Sequence, residues 1–199
     1  MTAGPLARPF FERATVDVAR ALLGCHLVRE VDGHFLRGRI VETEAYVGRE
    51  DTACHAHKGR TARTEVMFGP AGHSYVYFVY GLHHLCNIVT EGAGFPAAVL
   101  LRAVEPLEGL EFMQQRRGGE QLDRALTNGP AKLCQAFGIG LSLNKLDVTR
   151  GQQLWLEAGA PPADREIAAG PRIGIGYAAR KDRLAPWRFW LKNNPFVSR

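Results

Sequence analysis

Ser74-Tyr75-Val76-Tyr77-Phe78-Val79-Tyr80-Gly81 is an apolar segment along which tyrosines alternate, and the last of them stands directly before a glycine. Aromatic and β-branched residues at period two read as a strand. Upstream, Val41-Glu42-Thr43-Glu44-Ala45-Tyr46 puts two carboxylates and another tyrosine at the end of a second strand. Paired in one sheet, the two strands place aromatic faces and a carboxylate around one small pocket. Such a pocket suits a flat, electron-poor ring with an activated water beside it.

Outward from these strands the chain alternates short elements. Residues 1–10 read as a loose arm. Residues 15–23 carry Val16, Ala19, Leu22 and Leu23 at helical spacing, with Gly24 as the stop. Residues 25–31 read as a strand, and Asp32-Gly33 is a strong hairpin signal. Its partner strand covers residues 34–46, and the polar, Gly-containing stretch 48–72, rich in Arg and His, reads as an ordered loop. Residues 81–90 form the turn and return of a second hairpin, and 97–104 a further strand. A helix begins around Leu107 to Met113 and ends near Gly118-Gly119, and Pro130 opens another. Residues 153–157, 172–177 and 187–192 read as strands. Without repeats or a linker, the pattern predicts one α+β domain over 1–199: a curved antiparallel sheet flanked by helices.

The chain has 199 residues, 46% hydrophobic and 23% charged. A domain of this size buries about 70% of its unfolded surface and needs no disulfide or metal to hold it together. Lys and Arg exceed Asp and Glu by 25 to 20, a mildly basic balance compatible with a polyanion partner. Cys25, Cys54, Cys86 and Cys134 form no short-loop framework, and no secretory signal or membrane-length apolar run is visible. Free thiols in a reducing compartment are expected. There is no Gly-rich phosphate loop, so no cofactor is expected either.

Several ordered blocks resemble the alkyladenine (3-methyladenine) DNA glycosylase family. They are Glu42-Thr43-Glu44-Ala45-Tyr46, Glu50-Asp51 and His55, Met67-Phe68, Tyr75-Val76-Tyr77, Tyr80-Gly81 and Asn87. Leu100-Leu101-Arg102-Ala103-Val104-Glu105-Pro106 and Gly129-Pro130-Ala131-Lys132-Leu133 follow, then Arg172-Ile173-Gly174-Ile175-Gly176 and Pro195-Phe196-Val197-Ser198. They run in order over nearly the whole chain, which looks like the compact form common in bacteria. The resemblance implies a monofunctional enzyme of base excision repair that flips an alkylated or deaminated purine out of duplex DNA and hydrolyses its glycosidic bond.

By that resemblance Glu44 is the general base. Strand alternation puts Glu42 on the same face, so spacing alone does not choose between them. Arg102 matches a residue that helps hold the attacking water, and the backbone carbonyl of Ile173 a further water contact. Tyr46, His55 and Tyr77 match the aromatic walls of the base pocket, and Asn87 a residue that discriminates against guanine. Tyr80, with Leu82 and His83 beside it, matches the tip of a protruding hairpin that intercalates into DNA. Lys132, Arg60 and Arg63 are candidate phosphate contacts. The expected partner is double-stranded DNA holding a damaged purine, engaged by a monomer without a membrane. The setting would be the cytoplasm and nucleoid if the source is bacterial, the nucleus if eukaryotic.

A different class of function rests on Cys54-x2-His57 and His83-x2-Cys86, whose four side chains have the types of a zinc site. That reading gives a non-catalytic nucleic-acid-binding module. A glycosylase fold that has lost its activity would likewise bind nucleic acid without chemistry.

Overall fold

In a computed structural model, which describes residues 4–119 and 124–198, an antiparallel sheet forms the centre of the molecule. The strands are β1 (His26–Val31), β2 (His34–Val47), β3 (Ser74–Val79), β4 (His83–Val89), β5 (Ala97–Glu108), β6 (Leu154–Glu157), β7 (Ile167–Gly170) and β8 (Arg188–Leu191). The helices are α1 (Arg8–Phe11), α2 (Thr15–Ala21), α3 (Leu110–Arg116), α4 (Pro130–Ala136) and α5 (Arg180–Leu184). The strands follow the order β3-β4-β5-β2-β1-β6, and β8, itself paired to β7, joins the C-terminal half of β2. The fold is α+β, as the element pattern predicts.

Asp32 and Gly33 both take left-handed backbone angles (φ 53° and 75°), closing β1 onto β2 with Val31 opposite His34. Such a turn matches the twist of the flanking strands. Its register then fixes which face each β2 side chain occupies.

The two faces of the sheet differ in their cover. On one, Val76, Cys86, Ile88, Val99 and Leu101 join a core that includes Val18 and Leu22 around α2 and Leu133 and Phe137 around α4. On the other, Tyr75, Val89 and Ala98 pack against Cys54, Ala56, Met67 and Phe68 from residues 48–72, with Tyr46 and Tyr77 at the margin. That segment is ordered by two single turns of 3-10 helix, His55–Lys58 and Glu65–Phe68.

Three expectations change. The N-terminal arm is not loose from Pro5 onward: Pro5 bridges Glu157, the Leu6 amide donates to Leu156 O, and Arg8 pairs with Asp147 at 2.7 Å. Residues 1–3 of that arm lie outside the described residues. Residues 172–177 do not form a strand. Pro171 denies the sheet a donor and Gly174 takes φ 77°, so the chain leaves the ladder after β7 and crosses the second face as an irregular loop. The zinc arrangement is also unavailable. Cys86 is buried in the helix-backed core and Cys54 in the cluster on the opposite face, so the two halves are separated by the sheet. Among the described residues no group of three or more His, Cys, Asp or Glu comes together.

Candidate active site

The register places the site in cross-strand rows. Tyr75 pairs with Asn87, Asn87 with Leu100, Leu100 with Glu44 and Glu44 with Arg188, so one row crosses β3, β4, β5, β2 and β8. Tyr46 and Ala98 stand in the next row on β2 and β5, and Tyr77 lies two residues beyond Tyr75 on β3. All these side chains share the face covered by residues 48–72, because paired residues point the same way and faces alternate along a strand. Neighbouring strands are spaced about 4.8 Å apart, so the backbones of Glu44 and Asn87 lie roughly 10 Å from each other.

Arg102, two residues from Leu100, shares that face by strand alternation, and the ladder around it is irregular. Between β2 and β5 the register runs Ile40 to Val104, Glu42 to Ala103 and Thr43 to Leu101. Val41 on β2 and Arg102 on β5 therefore have no partner of their own, and the two extra residues nearly cancel along the ladder. Arg102 is thereby lodged between Glu42 and Glu44. Its Nε donates to Glu42 at 2.8 Å and its Nη1 lies 3.2 Å from Glu44 Oε1. Burial pushes the guanidinium down, but the charges of Glu44 and Glu42 raise it above its ordinary value, so it stays cationic.

Glu44 is fully buried. Its Oε1 accepts the Ile173 amide at 2.7 Å and its Oε2 accepts the Tyr46 hydroxyl at 2.8 Å. Burial first, then the charge and hydrogen bond of Glu44, hold the Tyr46 phenol well above its ordinary value, so Tyr46 acts as a neutral donor. The Ile173 amide N–H thus meets the carboxylate directly. Glu42, equally buried, accepts from Arg102, Arg188 and both the hydroxyl and amide of Ser198. Glu42 is thus met by three residues, while Glu44 is the carboxylate bordered by the aromatic cluster.

His55 sits edge-on to Tyr77, with ring centroids 4.6 Å apart, and its Nδ1 shares a 2.9 Å hydrogen bond with the Tyr75 hydroxyl. Tyr75, which strand packing alone would explain, therefore fixes the His55 ring. Asn87 is buried, and its amide donates to Tyr75 O at 3.1 Å across the strand. The Arg63 guanidinium lies 4.8 Å from the centre of the Tyr77 ring.

Burial, and next the Arg63 charge, push the His55 imidazole down to about 4 from 6.5. Its unfolded form takes up the proton first as the solution is acidified. Stability that is fully present above pH 6.5 is consequently lost as pH falls toward 4. His55→Asn should flatten the dependence of melting temperature on pH across this window. His26, lowered by burial, supplies a remaining slope. An unchanged slope in the variant would show that His55 is not neutral in the fold.

Sequence reading missed a second tier. Arg172 forms a buried bidentate pair with Asp51 at 2.6 and 2.8 Å and donates to Ala45 O at 2.8 Å. Its guanidinium lies 4.8 Å from the Tyr46 ring and 5.0 Å from the Trp187 ring. This anchors the residue just before Ile173 and so sets the amide that meets Glu44. Tyr177, largely exposed, donates to Ala53 O at 3.0 Å beside the same aromatic cluster. Asp51 and Arg172 stood in the matched blocks, but only their mutual distance assigns them a task. A cleft of about 390 Å³ lined by Phe95, Trp187 and Lys181 lies behind Asp51, away from Glu44.

The β3–β4 hairpin ends in Tyr80, Gly81 and Leu82, with the Leu82 amide donating to Val79 O at 3.2 Å. Tyr80 and Gly81 take φ of 55° and 67°. A bulky residue in the left-handed region is unfavourable by about 1–2 kcal/mol, and strain of this kind collects at functional sites. Tyr80 is 86% and Leu82 75% exposed, and His83 is exposed as well. Of the candidate phosphate contacts, Lys132 on α4 donates to Asn128 at 2.8 Å. Arg60 pairs with Glu65 at 3.1 Å on the surface, with its guanidinium 4.6 Å from the Phe68 ring centre.

With this geometry in view, comparison with known proteins is decisive: a family model described as methylpurine-DNA glycosylase matches residues 9–195. The chain belongs to that family. A relative from Methanocella arvoryzae is 50% identical over 98% of this chain and 96% of its own length. Another from Carboxydothermus hydrogenoformans is 50% identical over 98% of both, and one from Myxococcus xanthus 45% identical over 98% and 93%. Each carries, provisionally, the name 3-methyladenine DNA glycosylase. The chain is accordingly a DNA glycosylase, a hydrolase of N-glycosyl bonds that acts in DNA repair with DNA as its partner.

Proposed function

We propose that this glycosylase excises alkylated purines such as 3-methyladenine by flipping them out of the duplex and attacking C1′ with a water activated by Glu44. The observation that carries this reading is a buried carboxylate bordered on one sheet face by Tyr46 and the His55–Tyr75–Tyr77 aromatic cluster. Aromatic faces attract a ring made cationic by alkylation, at about 0.5–2 kcal/mol per contact. Neutral His55 and Tyr46 add donors without opposing charge. Extruding a damaged base from the stack costs less than extruding a normal one, which adds selectivity.

In the reaction the water oxygen forms a bond to C1′, and the C1′–N bond breaks with its electron pair leaving on the purine. Glu44 takes the water proton. The Arg102 guanidinium lies beside the carboxylate, and the Ile173 amide and Tyr46 hydroxyl fix its two oxygens. Tyr80 and Leu82 at the exposed tip enter the stack where the nucleotide has left, and Lys132, Arg60 and Arg63 approach phosphates. A single protein copy supplies every one of these groups.

The test is single-turnover incubation of the protein with duplexes that each carry one 3-methyladenine, 7-methylguanine, hypoxanthine or ethenoadenine. A free base and an intact strand with an abasic site are expected, with no adduct trapped by borohydride and no loss of rate in chelator. A trapped adduct would mean an amine nucleophile. Failure to release any of the four bases would overturn the reading.

A further inference from the structure

Glu42 and Ser198 sit beside the reacting carboxylate without touching the base pocket. Ser198 meets Glu42 twice, through its amide to Oε2 at 2.7 Å and its hydroxyl to Oε1 at 2.8 Å. The same hydroxyl accepts Arg102 Nη2 at 3.1 Å, and Arg188 grips the segment by donating to Ser198 O at 3.2 Å and to Glu42 at 2.6 Å. Arg102 therefore has its Nε on Glu42, its Nη2 on Ser198 and its Nη1 beside Glu44. Two of its three nitrogens are held by groups that take no part in the reaction, and the third is aimed by them.

We propose that Ser198 and Glu42 form a clamp that orients Arg102 and thereby sets the position of the Glu44 carboxylate, making both of them positioning residues of the glycosylase reaction. The chemistry favours this over simple packing. Arg102 has no cross-strand partner of its own on β2, so the ladder sets its face but its long side chain is aimed by the groups it bonds. A guanidinium bonds through a rigid planar fork, so fixing two nitrogens fixes the third. The clamp residues lie 156 positions apart in the chain, so the segment around 198 docks over the site rather than extending β2 locally. Glu42 and Glu44 balance the charges of Arg102 and Arg188, leaving the buried cluster neutral, as burial of charge demands.

The clamp rests on the Glu44 reading for its effect on rate, but its geometry can be followed without activity. Ser198→Ala removes the hydroxyl shared by Arg102 and Glu42 and keeps the amide. Single-turnover excision should slow by about tenfold, in the range typical of misplaced catalytic groups. Affinity for lesion duplex and the melting temperature should stay near wild type, and Ser198→Thr, which retains the hydroxyl, should restore the rate. In ¹⁵N spectra the Arg102 Nε–H should exchange slowly in wild type and Ser198→Thr, and at least several-fold faster in Ser198→Ala. A Ser198→Ala rate within twofold of wild type, or unchanged exchange of that proton, would overturn the clamp. Rate, affinity and melting temperature falling together would reduce it to a packing contact. Should wild type excise nothing, the glycosylase chemistry fails first, and the Arg102 exchange alone then decides whether the clamp orients that side chain.

Discussion

Glu44→Gln should reduce single-turnover excision by about 10²–10⁴-fold, the range that a positioned general base supplies. Glutamine keeps the shape: its carbonyl oxygen can accept from the Ile173 amide and its NH2 can donate to the Tyr46 hydroxyl oxygen, at the positions where the carboxylate today accepts from both. It cannot take the proton of the attacking water. Lesion-duplex affinity should therefore remain close to wild type while the chemical step is lost. The variant also removes one of the two carboxylates beside Arg102, so a modest drop in melting temperature is expected without unfolding. Near-wild-type excision by this protein would take Glu44 out of the mechanism. Glu42 would be a poor substitute, since Arg102, Arg188 and Ser198 already occupy it.

Tyr80→Ser should lower lesion-duplex affinity by up to about two powers of ten, taking 1–3 kcal/mol for a lost aromatic stack and 1.4 kcal/mol per decade. Fold stability should hardly change, because the ring is solvent-exposed and serine meets the same left-handed backbone requirement at φ 55°. The slope of log affinity against log salt should stay constant, since no phosphate contact is removed. Lys132→Ala is the control in the other direction, with that slope shrinking by up to about one unit on matched and lesion DNA alike. A 2-aminopurine beside the lesion follows flipping directly. Equal fluorescence and affinity in Tyr80→Ser and wild type would return Tyr80 to the role of a turn residue.

Much of this site was legible before any coordinates. The alternating tyrosines of β3 and the Glu-Thr-Glu of β2 are period-two patterns, and such patterns report which side chains share a face. Asp32-Gly33 gave away its hairpin because few residue pairs tolerate two left-handed angles in succession. Three things escaped that reading for one physical cause, namely that they depend on pairing between distant segments. Residues 172–177 have the apolar alternation of a strand, yet no free sheet edge receives them, and β7 takes up the pairing with β8 instead. The approach of Arg102 to both Glu42 and Glu44 exists only in the register of β2 against β5. What distinguishes the surroundings of Glu42 from those of Glu44 comes from Ser198 and Ile173, each more than a hundred residues away. The blocks of resemblance name residues, and the contacts between blocks exist only in the folded chain.

The 129-residue separation between Glu44 and the amide that holds it has a consequence for how the protein comes into being. Bringing segments this remote together costs loop entropy, which the finished contacts must offset. Until the loop bearing Ile173 docks, the carboxylate lacks one of the donors that make its burial tolerable. The surroundings of Glu44 are thus a property of the whole fold, and no fragment that ends before residue 173 can assemble them.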